Sequence, residues 1–314
     1  MKNYKKCNSS PKKLTINHKL KDLRKVNFLK RSNIDLGGFM WYWDSRTHQF
    51  IMQQALKKCN PRFIHLLEIE QQMLLLGIEA PDKILMDFTN HYYNCTPNSY
   101  GYHYGSVIKK ICSKLELLEQ ILRNPNKIII DQSYSSFLHL FLDSPLKVFC
   151  FELGTLSHYV ADLHQPFHTD GKERFDDEEV IHKVLEADVR KHLDELKINL
   201  HRRSRIKNPE EYFMNKVCEI NRFYDILVEN YYLSKGKVKP ERWIHSKQII
   251  EYCIQESAQT IANIILDFED SAKIFDKAKK FSIIQDKIKK EMDFNNSYKI
   301  KIYKSGTISI RIKK

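Results

Sequence analysis

LGTLSHYVADLHQPFH, residues 153–168, is the stretch from which the rest of the chain is read. Ser144-Pro145 gives a helix start before it and Pro166 a stop within it, so the spacing predicts a helix over 146–164. On that helix His158 and Asp162 are four apart and project from one face. His168 follows just past the Gln165-Pro166 corner. His182 and Glu186 then repeat the same spacing on a second predicted helix, over about 176–200, opened by acids 176–179 that suit the positive end of its dipole. Imidazole and carboxylate are zinc ligands, and one helical face can present two of them to one ion. A single such pair is more often a solvated couple, and a lone histidine on an apolar face a satisfied core residue. Two pairs and His168 within about thirty residues point to a metal site.

Outward from this stretch the chain reads as helical. It has 314 residues with nine Gly and nine Pro, too few turn-formers for a many-stranded sandwich. Further helices are predicted from Trp43, over 61–76 ending at Gly77, and over 104–123, 134–142, 209–233, 240–268 and 271–292. Residues 78–103 lack a period and read as a long irregular connection. Residues 298–313 alternate apolar and polar about Ser305-Gly306, a β-hairpin signal. The expected fold is all-α: a basic N-terminal arm over 1–38, one multi-helix domain over 39–272, and a basic C-terminal helix and hairpin over 273–314.

The net charge of +13 is uneven. Residues 1–32 hold eleven Lys/Arg against Asp22, and residues 273–314 hold thirteen against four acids; the middle is mildly acidic. Such ends suit an anionic membrane or nucleic acid, or simply solvated tails. Seven cysteines without C-x-x-C spacing argue against a disulfide framework or thiolate zinc finger and for a reducing compartment. No signal-peptide run and no apolar run of membrane-spanning length is seen, so the expected location is cytoplasmic, with peripheral membrane contact allowed.

HYVADLHQPFH followed by HKVLE resembles the zinc-dependent phospholipase C and S1-P1 nuclease family. Trp43-Asp-Ser-Arg-Thr-His48, Gly77-Ile-Glu-Ala-Pro-Asp82 and Asn90-His91-Tyr-Tyr match its further motifs, in order. The resemblance implies the phospholipase C / P1 nuclease type of helical fold and two or three Zn2+ ions. Asp82, His91, His158 and Asp162 would hold the first. His48 and the backbone of Trp43 would hold another, bridged by Asp162. His168, His182 and Glu186 would hold the third. Asp82 could also orient the attacking water as a base. His103 is the alternative to His91, and His164 reads as a supporting or helix-capping histidine.

In that family the tryptophan is the mature N-terminus, binding metal through amine and carbonyl. Here forty-two residues precede Trp43. Either proteolysis exposes it, or only its carbonyl coordinates, or it packs in the core. The implied activity is phosphodiester hydrolysis, phospholipase C-like, with a single-strand nuclease as the alternative. A non-catalytic, zinc-stabilised module that binds nucleic acid or membrane is the reading from a different class.

Overall fold

The computed structural model describes residues 45–87, 89–97, 100–170, 178–234, 236–271 and 273–275, and the backbone of 298–302 and 308–312. The expected N-terminal arm, Trp43 and most of the 271–292 helix lie outside these residues.

Helices dominate the body. In order they are α1 (Ser45–Leu56), α2 (Pro61–Ile69), α3 (Gln71–Ala80), α4 (Val107–Arg123), the single turn α5 (Ser136–His139), α6 (Pro145–Leu163), α7 (Glu178–Lys191), α8 (Pro209–Asn221), α9 (Tyr224–Tyr231) and α10 (Arg242–Phe268). Among the described residues, strands occur only as two antiparallel pairs. β1 (Tyr232–Ser234) pairs with β2 (Lys237–Val238), and β3 (Tyr298–Ile302) pairs with β4 (Ile308–Ile312), Tyr298 opposite Ile312. The latter is the expected hairpin. The all-α expectation holds, and no described helix is long and apolar enough to cross a membrane.

The core is organised on α6. Ser144 caps it, its hydroxyl accepting from the Lys147 N–H at 3.2 Å. Every residue from Val148 to Leu163 is buried, as a helix enclosed on all sides must be. α3 lies against it at a glycine crossing. A Cβ at Gly77 would overlap the Phe151 carbonyl, and one at Gly154 would overlap that of Leu74. Gly77 was expected to end a helix; it instead lets two helices touch backbone to backbone.

The helix also runs on where an irregular connection was expected. Pro81 offers no N–H to the preceding turn, and α3 widens into a π-helical turn over Pro81–Leu85. Thr155 of α6 donates to the Gly77 carbonyl at 3.3 Å. Met86, with φ of 52°, ends the turn in the left-handed region. Only after it does the chain become irregular, up to α4.

Other expectations need correction: the predicted 61–76 helix is two, α2 and α3, parted at Glu70, and that over 134–142 is only the turn α5. The predicted 209–233 helix is two, parted at Arg222-Phe223. The helix predicted to reach 200 stops at Lys191, and the chain beyond a 3-10 turn (Leu193–Glu195) is held along α10. The N–H groups of Lys197, Asn199, His201 and Ser204 donate to Glu251, Gln255, Gln259 and Asn263 at 2.7–3.1 Å. Those acceptors recur every four residues on one face of α10, so each N–H is satisfied without a helix of its own.

Candidate metal centre

Six segments deliver eight side chains to one place. α1 carries His48, the π turn Asp82, the following loop His91, α6 both His158 and Asp162, a 3-10 turn over Pro166–His168 its last residue, and α7 both His182 and Glu186. Asp162 is central. Its Oδ2 lies 2.5 Å from His91 Nδ1 and 3.1 Å from His158 Nε2. Its Oδ1 lies 3.6 Å from both His48 Nε2 and His168 Nδ1. Asp82 Oδ1 stands 3.3 Å from His158 Nε2 and 3.6 Å from His91 Nε2. Beside them His182 Nε2 and Glu186 Oε1 are 3.0 Å apart, with the His168 and His182 ring centres at 5.1 Å.

Neighbouring groups aim these ligands. His158 Nδ1 donates to the Ile78 carbonyl at 2.7 Å, which turns its Nε2 toward the two aspartates. The His91 loop is tied down on both sides. Tyr93 N–H donates to the His168 carbonyl at 3.0 Å, and Cys95 N–H to that of Thr169 at 2.9 Å. Asp87 accepts from the Tyr159 hydroxyl at 2.7 Å and from the Asn90 amide at 2.5 Å. The Gln165 amide lies 2.6 Å from His182 Nε2 and donates to Glu186 at 3.3 Å, while its oxygen accepts the Phe167 N–H.

The electrostatics favour cation binding. Burial pushes His48 and His168 well below the usual imidazole range, so both are neutral. Burial alone would raise Asp162, but His158, His168 and His91 hold it well below the carboxylate range. Burial likewise opposes protonation of His158, and Asp82 with Asp162 outweighs it, raising His158 well above its usual value. Burial raises Glu186.

The residues fit a metal. Neither ring nitrogen of His48 or His168, nor Oδ1 of Asp162, has a hydrogen-bond partner, although all are buried. Buried polar atoms are rarely left so. Two ligands at about 2.1 Å from one tetrahedral zinc stand about 3.4 Å apart, close to the separations of 3.0–3.6 Å that recur here. Among the described residues, three groups have ligand atoms within 4.8 Å of one another: His48, His158 and Asp162; Asp82, His91 and His158; His168, His182 and Glu186.

The sequence profile described as "Zinc dependent phospholipase C" matches residues 47–265. The chain belongs to the zinc dependent phospholipase C family. A search of curated proteins finds no match. Among solved structures it is similar to the alpha-toxin of Clostridium perfringens from avian strain SWCP, at 15% identity and a TM-score of 0.49, covering 74% of this chain and 66% of that one. It is also similar to the alpha toxin of Clostridium absonum, at 13% identity and 0.43, covering 74% and 67%. The chain thus spans about two thirds of the length of the toxin chains it matches.

Within this family member the structure brings His91 to the cluster and leaves His103 outside. The His103 ring is exposed, lies 2.6 Å from the Asn94 carbonyl through Nδ1, and stacks on Tyr93. His164 caps α6, its Nδ1 donating to the Val160 carbonyl at 2.7 Å and its Nε2 meeting Thr260 at 3.3 Å. Trp43 is outside the described residues. Gln165, Asp87 and Tyr159 were not singled out as supporting groups from sequence. Gln165 and Tyr159 stand inside the quoted motif; Asp87 carries no sequence signal, because its bond to Tyr159 spans 72 positions.

Proposed function

We propose that the chain hydrolyses the phosphodiester of a phospholipid in the phospholipase C manner, releasing a phosphorylated head group. Its metal ligands are His48, Asp82, His91, His158, Asp162, His168, His182 and Glu186. The observation that carries this is the convergence of four buried imidazoles on Asp162, one of which, His168, also groups with His182 and Glu186.

Zinc, when bound, supplies a Lewis acid that makes water nucleophilic near neutral pH and draws charge from the phosphoryl oxygens. The chain's own residues do the rest. Asp162 offers both oxygens to separate histidines and so joins two of the three groups. Asp82 is 14% exposed where Asp162, His48 and His158 are at 0–1%. It is the least buried of these four, and in this reading it accepts the proton of the attacking water. His182 and Glu186 are exposed by 8% and 10%. The basic ends suit an anionic lipid surface.

The test is zinc content by elemental analysis, then head-group release from phosphatidylcholine vesicles doped with an anionic phospholipid. Two or three zincs per chain and release abolished by chelator are expected. Cleavage of single-stranded nucleic acid with no lipid turnover would move the assignment to a nuclease. Zinc binding without turnover of either would leave a zinc-stabilised binding module, and no zinc uptake at all would remove the metal centre.

A further inference from the structure

The chain beyond the Leu193–Glu195 turn forms a strap along α10. Its Lys197, Asn199 and His201 N–H groups donate to Glu251, Gln255 and Gln259. Four residues of helix rise about 6.0 Å and two of extended chain about 6.6 Å. The two periods keep step, so every second N–H turns to α10 and the intervening ones turn away. Among the described residues, the N–H and carbonyl groups of Ile198, Leu200 and Arg202 have no hydrogen-bond partner. They make a short strand edge with nothing paired to it. A groove of about 470 Å³ lies beside the start of this edge. Phe50 and Lys57 of α1 line it together with Asp194, Leu196, Lys197 and Ile198 of the strap, and no residue of α10 does.

The strap is also basic. KINLHRRSRIK, residues 197–207, holds five Lys/Arg and no acid. Arg203 pairs with Glu269 at 2.5 Å and Arg205 with Asp267 at 3.0 Å. Lys197, Arg202 and Lys207 are exposed and form no ion pair among the described residues. Side chains alternate along the strap as on a strand. Lys197, Asn199 and His201 are exposed, whereas Leu196 is buried and Ile198 and Leu200 are half-buried.

We propose that the 196–202 strap is a docking edge for an acidic peptide, which adds to it as a strand. The peptide's backbone pairs with Ile198, Leu200 and Arg202, the groups that α10 leaves unused. Its acids lie on the face of Lys197, and its apolar residues on the face of Ile198, over the groove beside Phe50. Charge complementarity selects an acidic partner. The unpaired backbone selects a peptide over a nucleic-acid strand or a lipid surface, because neither of those can complete a strand ladder. This surface carries no metal ligand and stands apart from the activity proposed above.

The probe is a fluorescently labelled nonapeptide of alternating Glu and Val, titrated into the full-length protein and read by anisotropy. Saturable binding that weakens with salt is expected, and none for the same peptide with Lys in place of Glu. Amide exchange followed by NMR should slow about tenfold near saturation at Ile198, Leu200 and Arg202. Lys197, Asn199 and His201, already bonded to α10, should not change. Ile198→Pro removes one edge N–H and spares all three bonds to α10. It should weaken the peptide about tenfold. Lys197→Glu with Arg202→Glu, both exposed, should weaken it by a similar factor and serves if the proline variant does not fold. No binding to the parent protein would overturn the proposal. So would binding without protection of those three amides, which would mark a general anion surface. None of these readouts requires turnover or bound metal.

Discussion

His158 Nδ1 donates to the Ile78 carbonyl at 2.7 Å, joining α6 to the end of α3 at the point where Asp82 is about to emerge. A metal-ligating histidine commonly spends its second nitrogen in this way, which fixes ring and tautomer. The bond depends on how closely the two helices approach, and Gly77 and Gly154 set that approach.

Gly77→Ala should therefore act twice. Its methyl has nowhere to go but into the Phe151 backbone, so α3 must shift from α6. Overpacking of this kind costs about 1–3 kcal/mol, here at the upper end because backbone rather than a mobile side chain blocks it. The same shift carries Ile78 away from His158. A lowered urea midpoint together with weaker zinc binding is expected. Lost stability with unchanged zinc affinity would disconnect the crossing from the site.

Asp82→Asn keeps shape and removes the negative charge. If Asp82 takes the proton from water, turnover at saturating added zinc should fall about 10²–10⁴-fold, while His168, His182 and Glu186 retain their ion. Vesicle turnover and zinc content are to be measured on one sample. Full turnover in the variant would sink the assignment of Asp82 as base.

Gln165→Ala removes the amide that reaches both His182 and Glu186. Loss of such a supporting group typically weakens metal binding about 10–100-fold. A competition titration against a chromophoric chelator should show one zinc released earlier than in the parent. Unaltered release of all ions would mean that packing alone holds the His182 and Glu186 rings and carboxylates in place.

Lys114 illustrates a different kind of dependence. It is 1% exposed, 2.8 Å from the fully buried Glu152, 3.0 Å from Asp131 and 2.6 Å from the Tyr134 hydroxyl. Burial pushes Glu152 up, and the lysine opposes this. Lys114→Met would strand Glu152 in the core between α4 and α6, at a cost of about 3–5 kcal/mol. Lys114→Met with Glu152→Gln should recover part of it by denaturant unfolding. A double variant no more stable than the single one would show that lost packing, not stranded charge, is the cause.

How much of this could be read beforehand depended on whether the deciding contact was local. His158 with Asp162, and His182 with Glu186, are four apart on helices, so residue type and spacing together disclosed them. Asp82 was placed by its motif, but its helical setting was not. Gly77 read as a helix end, and only the glycine crossing with α6 and the Thr155 hydroxyl explain why the helix continues. The 196–200 segment was mistaken for helix because its N–H acceptors lie on α10, more than fifty positions away. Lys114 with Glu152 was invisible for the same reason. Trp43 and the basic arm fall outside the described residues.

Asp131 sets an acid-range prediction. Its carboxylate accepts from the Ser133 N–H at 3.0 Å, the Ser133 hydroxyl at 2.7 Å and Lys114 at 3.0 Å. Partial burial would raise it, but Ser133 and Lys114 prevail and hold it below the usual carboxylate range. A carboxylate depressed in the folded state binds its proton more weakly there than in the unfolded chain. Its contribution is therefore complete above the unfolded value of about 3.9 and is lost as pH falls from there through the folded value. Other carboxylates titrate in the same window, so the comparison must be between variants. Denaturant unfolding of the parent and Asp131→Asn from pH 6 to pH 3 should give two curves, the parent more stable at pH 6 and the gap closing as acid is added. A gap that stays constant over this range would mean that Asp131 acts through its shape and hydrogen bonds alone, its charge contributing nothing to the fold.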